Sequence, residues 1–111
     1  MDIEEKEHLT GFRKNDDGWI ARRLVAARTV AGFSQKAFAE HLGIKTTTYA
    51  TQEKRGRPDM SVLRYLYRNH GIDFNFMLNG DFHHLPPTLQ TALFEALASL
   101  APDYDLRTNS R

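Results

Sequence analysis

Histidines and carboxylates are the first residues to consider for chemistry in this chain. His83 and His84 closely follow Asp81, a combination of side chains that can bind a metal ion. Adjacent side chains on a connection do not converge readily, however, and no third ligand is obvious in the sequence. A Ser/His/Asp site could assemble only in space, and no nucleophile-elbow, phosphate-loop or zinc-protease motif occurs. We therefore expect no metal, no cofactor, no small-molecule substrate and no enzymatic activity.

Cations form a second group, and they are concentrated in the middle of the chain. Residues 18–70 carry ten basic and three acidic side chains, residues 1–17 carry three basic and six acidic ones, and residues 71–111 carry two basic and five acidic ones. A basic segment of this kind suits a polyanion. The same composition also fits an arginine-rich helical surface in contact with solvent, so charge alone leaves both interpretations open.

Length and composition limit the class of protein. With 111 residues, of which 41% are hydrophobic and 26% charged, the chain is typical of one globular domain. The lack of cysteine excludes disulfides, thiolate zinc sites and thiol nucleophiles. No apolar run reaches the roughly 18 residues of a membrane span, and the acidic N-terminal segment lacks the apolar centre of a signal peptide. We expect a cytoplasmic protein with no membrane partner.

The spacing of apolar residues predicts an all-α protein with six helices. The first begins near Trp19, with Asp17 as its cap, and ends at Gly32. The second follows Ser34 as its cap and ends at Gly43. The others are predicted at Thr46–Lys54, at Met60–Asn69, from the cap Asp73 through Leu78, and from Pro87 to Pro102. The chain then divides into a loose acidic N-terminal arm (1–17), a helical domain (18–80), a linker with a C-terminal helix (81–102) and a flexible tail (103–111).

Two of these helices have the features of a helix-turn-helix motif. Ala39 is small enough to let two helices cross closely. Gly43 stands where the chain must turn through a backbone conformation that penalises a Cβ atom. Apolar residues at the correct spacing fill the wedge between the helices, namely Phe38, Leu42, Ile44 and Tyr49. Each feature is weak alone, but together they indicate the motif.

With these residues the sequence resembles the Cro/repressor-type (XRE-like) helix-turn-helix domains, especially the N-terminal domains of lambdoid phage repressors. The resemblance covers about residues 20–80 and is also carried by Arg23-Leu24, Arg28, Gly32-Phe33-Ser34-Gln35, Ala39-Glu40-His41-Leu42-Gly43, Glu53 and Gly71-Ile72-Asp73-Phe74-Asn75-Phe76-Met77-Leu78-Asn79-Gly80. It implies a five-helix lambda-repressor-like DNA-binding domain with an additional C-terminal helix. It also implies a phage-related, nucleoid-associated transcriptional repressor that binds a palindromic operator in double-stranded DNA as a homodimer.

The resemblance also assigns residues to the DNA. In this family the second motif helix lies in the major groove, where its N-terminal residues meet base edges. The matching positions here are Thr46, Thr47, Ala50 and Thr51. A threonine hydroxyl can bond either class of base, and its methyl group can contact the thymine methyl. Alternatively, the hydroxyls cap the helix, Thr46 above all, or bond the carbonyls of their own helix.

Further contacts follow from the same resemblance. Gln35 matches a family residue at the start of the first motif helix, where backbone donors and the helix dipole favour a phosphate. Cations nearby would add affinity without sequence information, namely Lys36, Lys45, Lys54, Arg55 and Arg57. Arg28 and Glu53 match a structural ion pair inside the family's domain. Gln52 departs from the family, which usually has an apolar residue there.

The predicted C-terminal helix carries a stripe of leucines, Leu89, Leu93, Leu97 and Leu100. One interpretation is a dimer contact, since regulators of this type bind two half-sites through a two-fold dimer. The other is that the stripe packs on its own domain and enlarges the core. The alternative function is a protein-interaction module, such as an antitoxin-like partner-binding protein. In that case residues 81–111 would expose apolar side chains when the partner is absent.

Overall fold

The computed structural model describes residues 1–100, and this part of the chain consists of α-helices joined by turns and short loops. Its helices are α1 (Ile3–Thr10), α2 (Asp17–Val30), α3 (Gln35–Leu42), α4 (Thr46–Arg55), α5 (Met60–His70), α6 (Phe74–Asn79) and α7 (Pro87–Ala98). No strand occurs within residues 1–100, which confirms the predicted all-α class. No helix in the described residues has both the length and the apolar character to cross a membrane.

Helix α2 lies at the centre of the molecule. Its residues 20–27 are all buried, as expected for a helix surrounded on every side rather than covered on one face. It packs against α4, α6 and α7. The core around it contains Leu24, Phe38, Tyr49, Leu66, Ile72, Phe76, Met77, Leu93 and Leu97. The position of α4 therefore depends on α2.

The N-terminal arm, expected to be loose, instead contains the helix α1. Asp2 and Glu5 form a capping box: the Asp2 carboxylate accepts from the Glu5 N–H at 2.8 Å, and the Glu5 side chain accepts from the Asp2 N–H at 3.3 Å. Helix α1 packs against α7. The prediction of a loose arm was wrong because the segment lacks a strong apolar stripe, and its attachment depends on side chains far along the chain.

Two predicted N-caps are confirmed. The hydroxyl of Ser34 accepts a hydrogen bond from the N–H of Ala37 at 3.1 Å, at the start of α3. The carboxylate of Asp73 accepts one from the N–H of Phe76 at 2.9 Å, at the start of α6. Both bonds satisfy donors that have no partner within the helix.

Two other predicted caps are displaced by one residue. Helix α2 begins at Asp17 itself, with Asp16 as the N-cap residue, and the Asp17 carboxylate accepts from Arg57 Nε at 3.0 Å. Helix α4 begins at Thr46, so Lys45 and not Thr46 is its N-cap residue. A lysine side chain has no acceptor, so it cannot supply the usual capping bond.

The core interpretation is confirmed for two of the four leucines in the predicted stripe. Leu93 and Leu97 have no exposed surface, whereas Leu89 and Leu100 are half-buried. Helix α7 packs against α1 and α2 of its own chain. The helix ends at Ala98, with Ser99 as its C-cap residue, and so stops before the predicted end at Pro102. Pro102 and the predicted tail at 103–111 lie outside the described residues.

Candidate nucleic-acid interface

Helices α3 and α4 form a tightly packed pair joined by a short turn. Gly43 has a φ of 74° in this turn, where a residue with a Cβ atom would be strained. Phe38, Ala39 and Tyr49 are completely buried between the helices. The rings of Phe38 and Tyr49 meet edge to face, with their centroids 5.1 Å apart. This packing determines which side of α4 faces solvent.

Helix α4 has one buried and one exposed face. Tyr49, Gln52 and Glu53 are buried, at the spacing of three and four residues that defines one side of a helix. The exposed face contains Thr46, Thr47, Thr48, Thr51, Lys54 and Arg55, and Ala50 is half-buried beside it. The four residues predicted to contact bases are thus three exposed threonines and one alanine at the margin of the face.

The hydroxyl of Thr51 donates to the carbonyl oxygen of Thr47 at 2.9 Å. This is the internal bond that the alternative interpretation describes. It uses the hydroxyl proton but leaves the acceptor lone pairs of Thr51 available. Thr48 is equally exposed, although the motif match did not select it. Its spacing of three residues from Thr51 is the sequence signal that places it on the same face.

The predicted ion pair between Arg28 and Glu53 is present and holds α4 against α2. Arg28 Nε lies 2.8 Å from Glu53 Oε2, and Arg28 Nη2 lies 3.0 Å from Oε1. The Tyr49 hydroxyl donates to Oε2 at 2.6 Å, and Gln35 Nε2 donates to Oε1 at 2.9 Å. The Glu53 side chain is 1% exposed. A buried carboxylate with four hydrogen bonds ties three helices together.

The same network explains the ionisation of two of its members. Burial first, and then the charge and hydrogen bond of Glu53, raise the pKa of Tyr49 above its ordinary value. Burial alone would lower the pKa of Arg28, but its hydrogen bond and attraction to Glu53, with help from Tyr49, raise it. At neutral pH Arg28 is therefore charged, and the Tyr49 hydroxyl remains a hydrogen-bond donor.

Gln35 was predicted to contact a phosphate, but the structure turns its side-chain amide toward Glu53. The residue is half-buried at the first position of α3. Its backbone N–H is one of the donors left open at a helix N-terminus, where an anion is favoured. A phosphate contact by Gln35 would thus use the backbone rather than the amide.

The predicted phosphate-binding cations are all exposed: Lys36, Lys45, Lys54, Arg55 and Arg57. Lys45 stands at the N-terminus of α4, and Lys54 and Arg55 form its last turn. Arg57 is bound to Asp17 through Nε at 3.0 Å, yet its side chain is 75% exposed. Cations therefore stand at both ends of the threonine-bearing helix.

The C-terminus of α4 rests directly on the first turn of α2. Gly56 ends α4 with a φ of 68°. A Cβ atom at this position would overlap the carbonyl oxygen of Asp17. Glycine is thus required here both by the backbone angle and by the close approach of two helices.

Gln52, the departure from the family pattern, has a polar role in the structure. It is 8% exposed. Its Nε2 donates to Asp59 Oδ2 at 3.0 Å, and its Oε1 accepts from the Asp59 backbone N–H at 2.8 Å. A pair of hydrogen bonds therefore replaces the apolar contact expected at this position and connects α4 to the start of α5.

Sequence reasoning missed the role of Arg23, which is completely buried. Its Nε donates to the carbonyl oxygen of Thr10 at 2.9 Å, Nη2 to that of Gly11 at 2.7 Å, and Nη1 to that of Met77 at 3.3 Å. Burial lowers the pKa of Arg23 to about 10, while Asp16 and Asp81 oppose this change. The sequence signals were its place beside Leu24 in the family resemblance and the apolar residues around it in α2.

The paired histidines bind separate partners. His83 Nε2 lies 3.2 Å from Glu7 Oε2, and His84 Nε2 lies 2.6 Å from Asp73 Oδ2. Among residues 1–100, no group of three or more His, Cys, Asp or Glu side chains is placed to hold a metal ion. The histidines thus connect the turn before α7 to α1 and to the start of α6.

No protein-family model matches the chain, and no match was found among curated proteins or solved structures.

Proposed function

We propose that this protein is a sequence-specific DNA-binding transcriptional regulator, most simply a repressor, whose helix α4 enters the major groove. The observation that carries the proposal is the division of α4 into two faces. Tyr49 and Glu53 hold one face inside the molecule. The other face presents exposed threonines between cations at both helix ends.

Each part of the exposed face has a counterpart on DNA. The major groove admits one α-helix, and its base edges offer hydrogen-bond donors, acceptors and the thymine methyl group. Thr47 and Thr51 carry both a hydroxyl and a methyl group at the solvent side of α4. Lys45, Lys54 and Arg55 would bind phosphates, which set affinity and orientation but carry no sequence information.

The resemblance to the Cro/repressor family extends this proposal to the fold. Helices α2 to α6 would form the five-helix lambda-repressor-like domain, α7 would be the additional C-terminal helix, and α1 a further one. A homodimer would place two copies of α4 about 34 Å apart on a palindromic operator. Because Leu93 and Leu97 are buried in the core, a dimer contact in this region would use Leu89 of α7 and Leu100, which follows the helix.

Selection of bound sequences from a random pool of double-stranded DNA tests the proposal. At about 150 mM salt, where non-specific binding is suppressed, the wild-type protein should enrich a palindrome. Thr51→Val keeps the shape and a methyl group but removes the hydroxyl. We expect it to change the preference at one or two base pairs by about 1–3 kcal/mol.

Thr29→Val is the matched control. Thr29 is exposed on α2, and its hydroxyl donates to the carbonyl oxygen of Val25 at 2.8 Å, in the same helical pattern as Thr51. This variant should keep the wild-type sequence profile. A folded wild-type protein that enriches no sequence would refute sequence-specific binding. An unchanged profile for Thr51→Val would mean that another side of α4 reads the bases.

The alternative, an antitoxin-like protein-interaction module, needs an exposed apolar surface in the C-terminal region. In residues 81–100 the large apolar side chains Phe82, Leu93 and Leu97 are buried in the core of the same chain. We therefore place DNA binding first.

A further inference from the structure

Asp59 occupies the N-cap position of α5, but its carboxylate does not cap that helix. An aspartate at an N-cap ordinarily accepts from an N–H group in the first turn, and no such bond is made here among the described residues. Oδ2 of Asp59 instead accepts from Gln52 Nε2 at 3.0 Å, while the Asp59 N–H donates to Gln52 Oε1 at 2.8 Å. The carboxylate is thus turned away from α5 and toward α4.

The direction of this carboxylate places it beside the exposed threonines. Thr47, Thr48, Thr51, Gln52 and Asp59 line one open depression on the protein surface. Asp59 is exposed, whereas Gln52 is buried. Gln52 therefore lies beneath the surface and holds the Asp59 carboxylate beside the exposed threonines. This places the carboxylate at the edge of the α4 face that we propose contacts the bases.

An acidic group is an unusual neighbour for a DNA-binding face, because it repels phosphates. It has a specific use in the major groove, however. An ionised carboxylate only accepts hydrogen bonds and has about four lone-pair sites, of which Gln52 occupies one. Cytosine N4 and adenine N6 are donors, whereas guanine O6 and N7 and thymine O4 are acceptors. A carboxylate held in one place favours a donor and rejects an acceptor.

On the basis of the proposed function, we propose that Asp59 determines specificity at one base pair, where it accepts a hydrogen bond from an exocyclic amino group, cytosine N4 first. Gln52 is the positioning residue. It replaces the apolar residue that the family resemblance predicts. It holds Asp59 with two hydrogen bonds, one donated to the carboxylate and one accepted from the backbone N–H. Guanine and thymine are disfavoured at the same position because their acceptors face the negative charge.

Asp59→Asn tests this role with little change in shape. The Asp59 carboxylate does not cap α5, and an asparagine Oδ1 can accept the same hydrogen bond from Gln52. The helix start should therefore be preserved, and circular dichroism would confirm that the variant is folded. The wild-type protein should enrich cytosine at one position of each half-site. Asp59→Asn should lose about tenfold in discrimination at that base pair and keep the preference at all others.

Two further variants complete the test. Glu95→Gln removes the same charge from an exposed site on α7, and it should keep the cytosine preference. Gln52→Leu keeps a side chain that packs but frees the carboxylate, so it should weaken discrimination at the same base pair only. A merely structural role for Gln52 would instead lower affinity for all sequences equally.

The outcomes separate the two proposals. If the wild-type protein enriches no sequence, both DNA reading in general and the role of Asp59 fail. If it enriches a palindrome and Asp59→Asn has the same profile, the proposed function stands and the role of Asp59 is refuted. The role is also refuted if Asp59→Asn and Glu95→Gln change binding alike, because then only net charge matters.

Discussion

Arg23 and Arg28 of helix α2 lie five residues apart, and the charges of their guanidinium groups are compensated in different ways. Arg23 has no exposed surface and donates to backbone carbonyl oxygens, including those of Thr10, Gly11 and Met77. Arg28 is 14% exposed at its side chain and is paired with the carboxylate of Glu53. Burial lowers the pKa of Arg23 to about 10, whereas the interactions with Glu53 outweigh burial and raise the pKa of Arg28.

The difference shows that the middle of α2 and its last turn have different tasks. Carbonyl dipoles compensate a buried charge only partly, so Arg23 is tolerated because it joins α1 and α6 to the centre of the molecule. The interactions of Arg28 with a carboxylate outweigh burial, and that carboxylate belongs to Glu53 of α4. Arg28 therefore positions the helix that we propose to read DNA, and Arg23 positions the helices on the other side.

Of the variants that test the difference between the two arginines, Arg28→Met should have the largest effect on the free energy of unfolding. It would leave the buried Glu53 carboxylate without its cation, for which we expect a loss of about 4 kcal/mol in the free energy of unfolding. Urea unfolding would measure the loss, and amide hydrogen exchange should show reduced protection in α3 and α4. A loss below about 1 kcal/mol would show that Tyr49 and Gln35 alone stabilise the carboxylate.

Arg23→Met should have a somewhat smaller effect, about 3 kcal/mol. The variant leaves several buried carbonyl oxygens without donors, but it also removes a charge that is costly to bury. Hydrogen exchange should increase in α1, because Thr10 and Gly11 lose their link to α2. If α3 and α4 lost protection instead, the assignment of separate tasks to the two arginines would be wrong.

Tyr49→Phe tests the hydrogen bonds around Glu53, and its effect on stability should depend on pH. At pH 7 we expect a loss of about 2 kcal/mol, because Glu53 loses the hydroxyl bond of 2.6 Å. The pKa of Tyr49 is raised in the folded protein, so the unfolded chain releases its proton first, near pH 10. The stability due to Tyr49 is therefore complete below pH 10 and decreases above it, by up to about 1.4 kcal/mol per pH unit.

Urea unfolding of both proteins at pH 7, 9, 10 and 11 would measure this dependence. The advantage of the wild-type protein over Tyr49→Phe should be constant from pH 7 to 9 and shrink above pH 10. An advantage that stays constant up to pH 11 would show that the Tyr49 hydroxyl titrates at the same pH in the folded and unfolded protein.

The central helices could be predicted from the sequence because their signals are local. Ser34 and Asp73 bond N–H groups three residues away. The inward position of Tyr49 followed from the spacing of the helix-turn-helix motif. The positions of the threonines on α4 and the ion pair of Arg28 with Glu53 followed from the family resemblance. Neither route could show that the Gln35 amide turns to Glu53 or that Asp59 turns from α5 to Gln52. These choices depend on groups that meet only after the helices pack.

The sequence by itself determined the all-helical class, the turn at Gly43 and the inward position of Tyr49 on α4, since periodicity and turn geometry act over a few residues. The tertiary structure decided that α1 is attached and that Leu93 and Leu97 belong to the core rather than to a partner. The physical reason is the separation along the chain between residues that interact after folding. An apolar stripe or a buried arginine needs a partner, but the sequence does not show which distant segment will supply it. Only the packed chain brings Thr10, Gly11 and Met77 to one guanidinium.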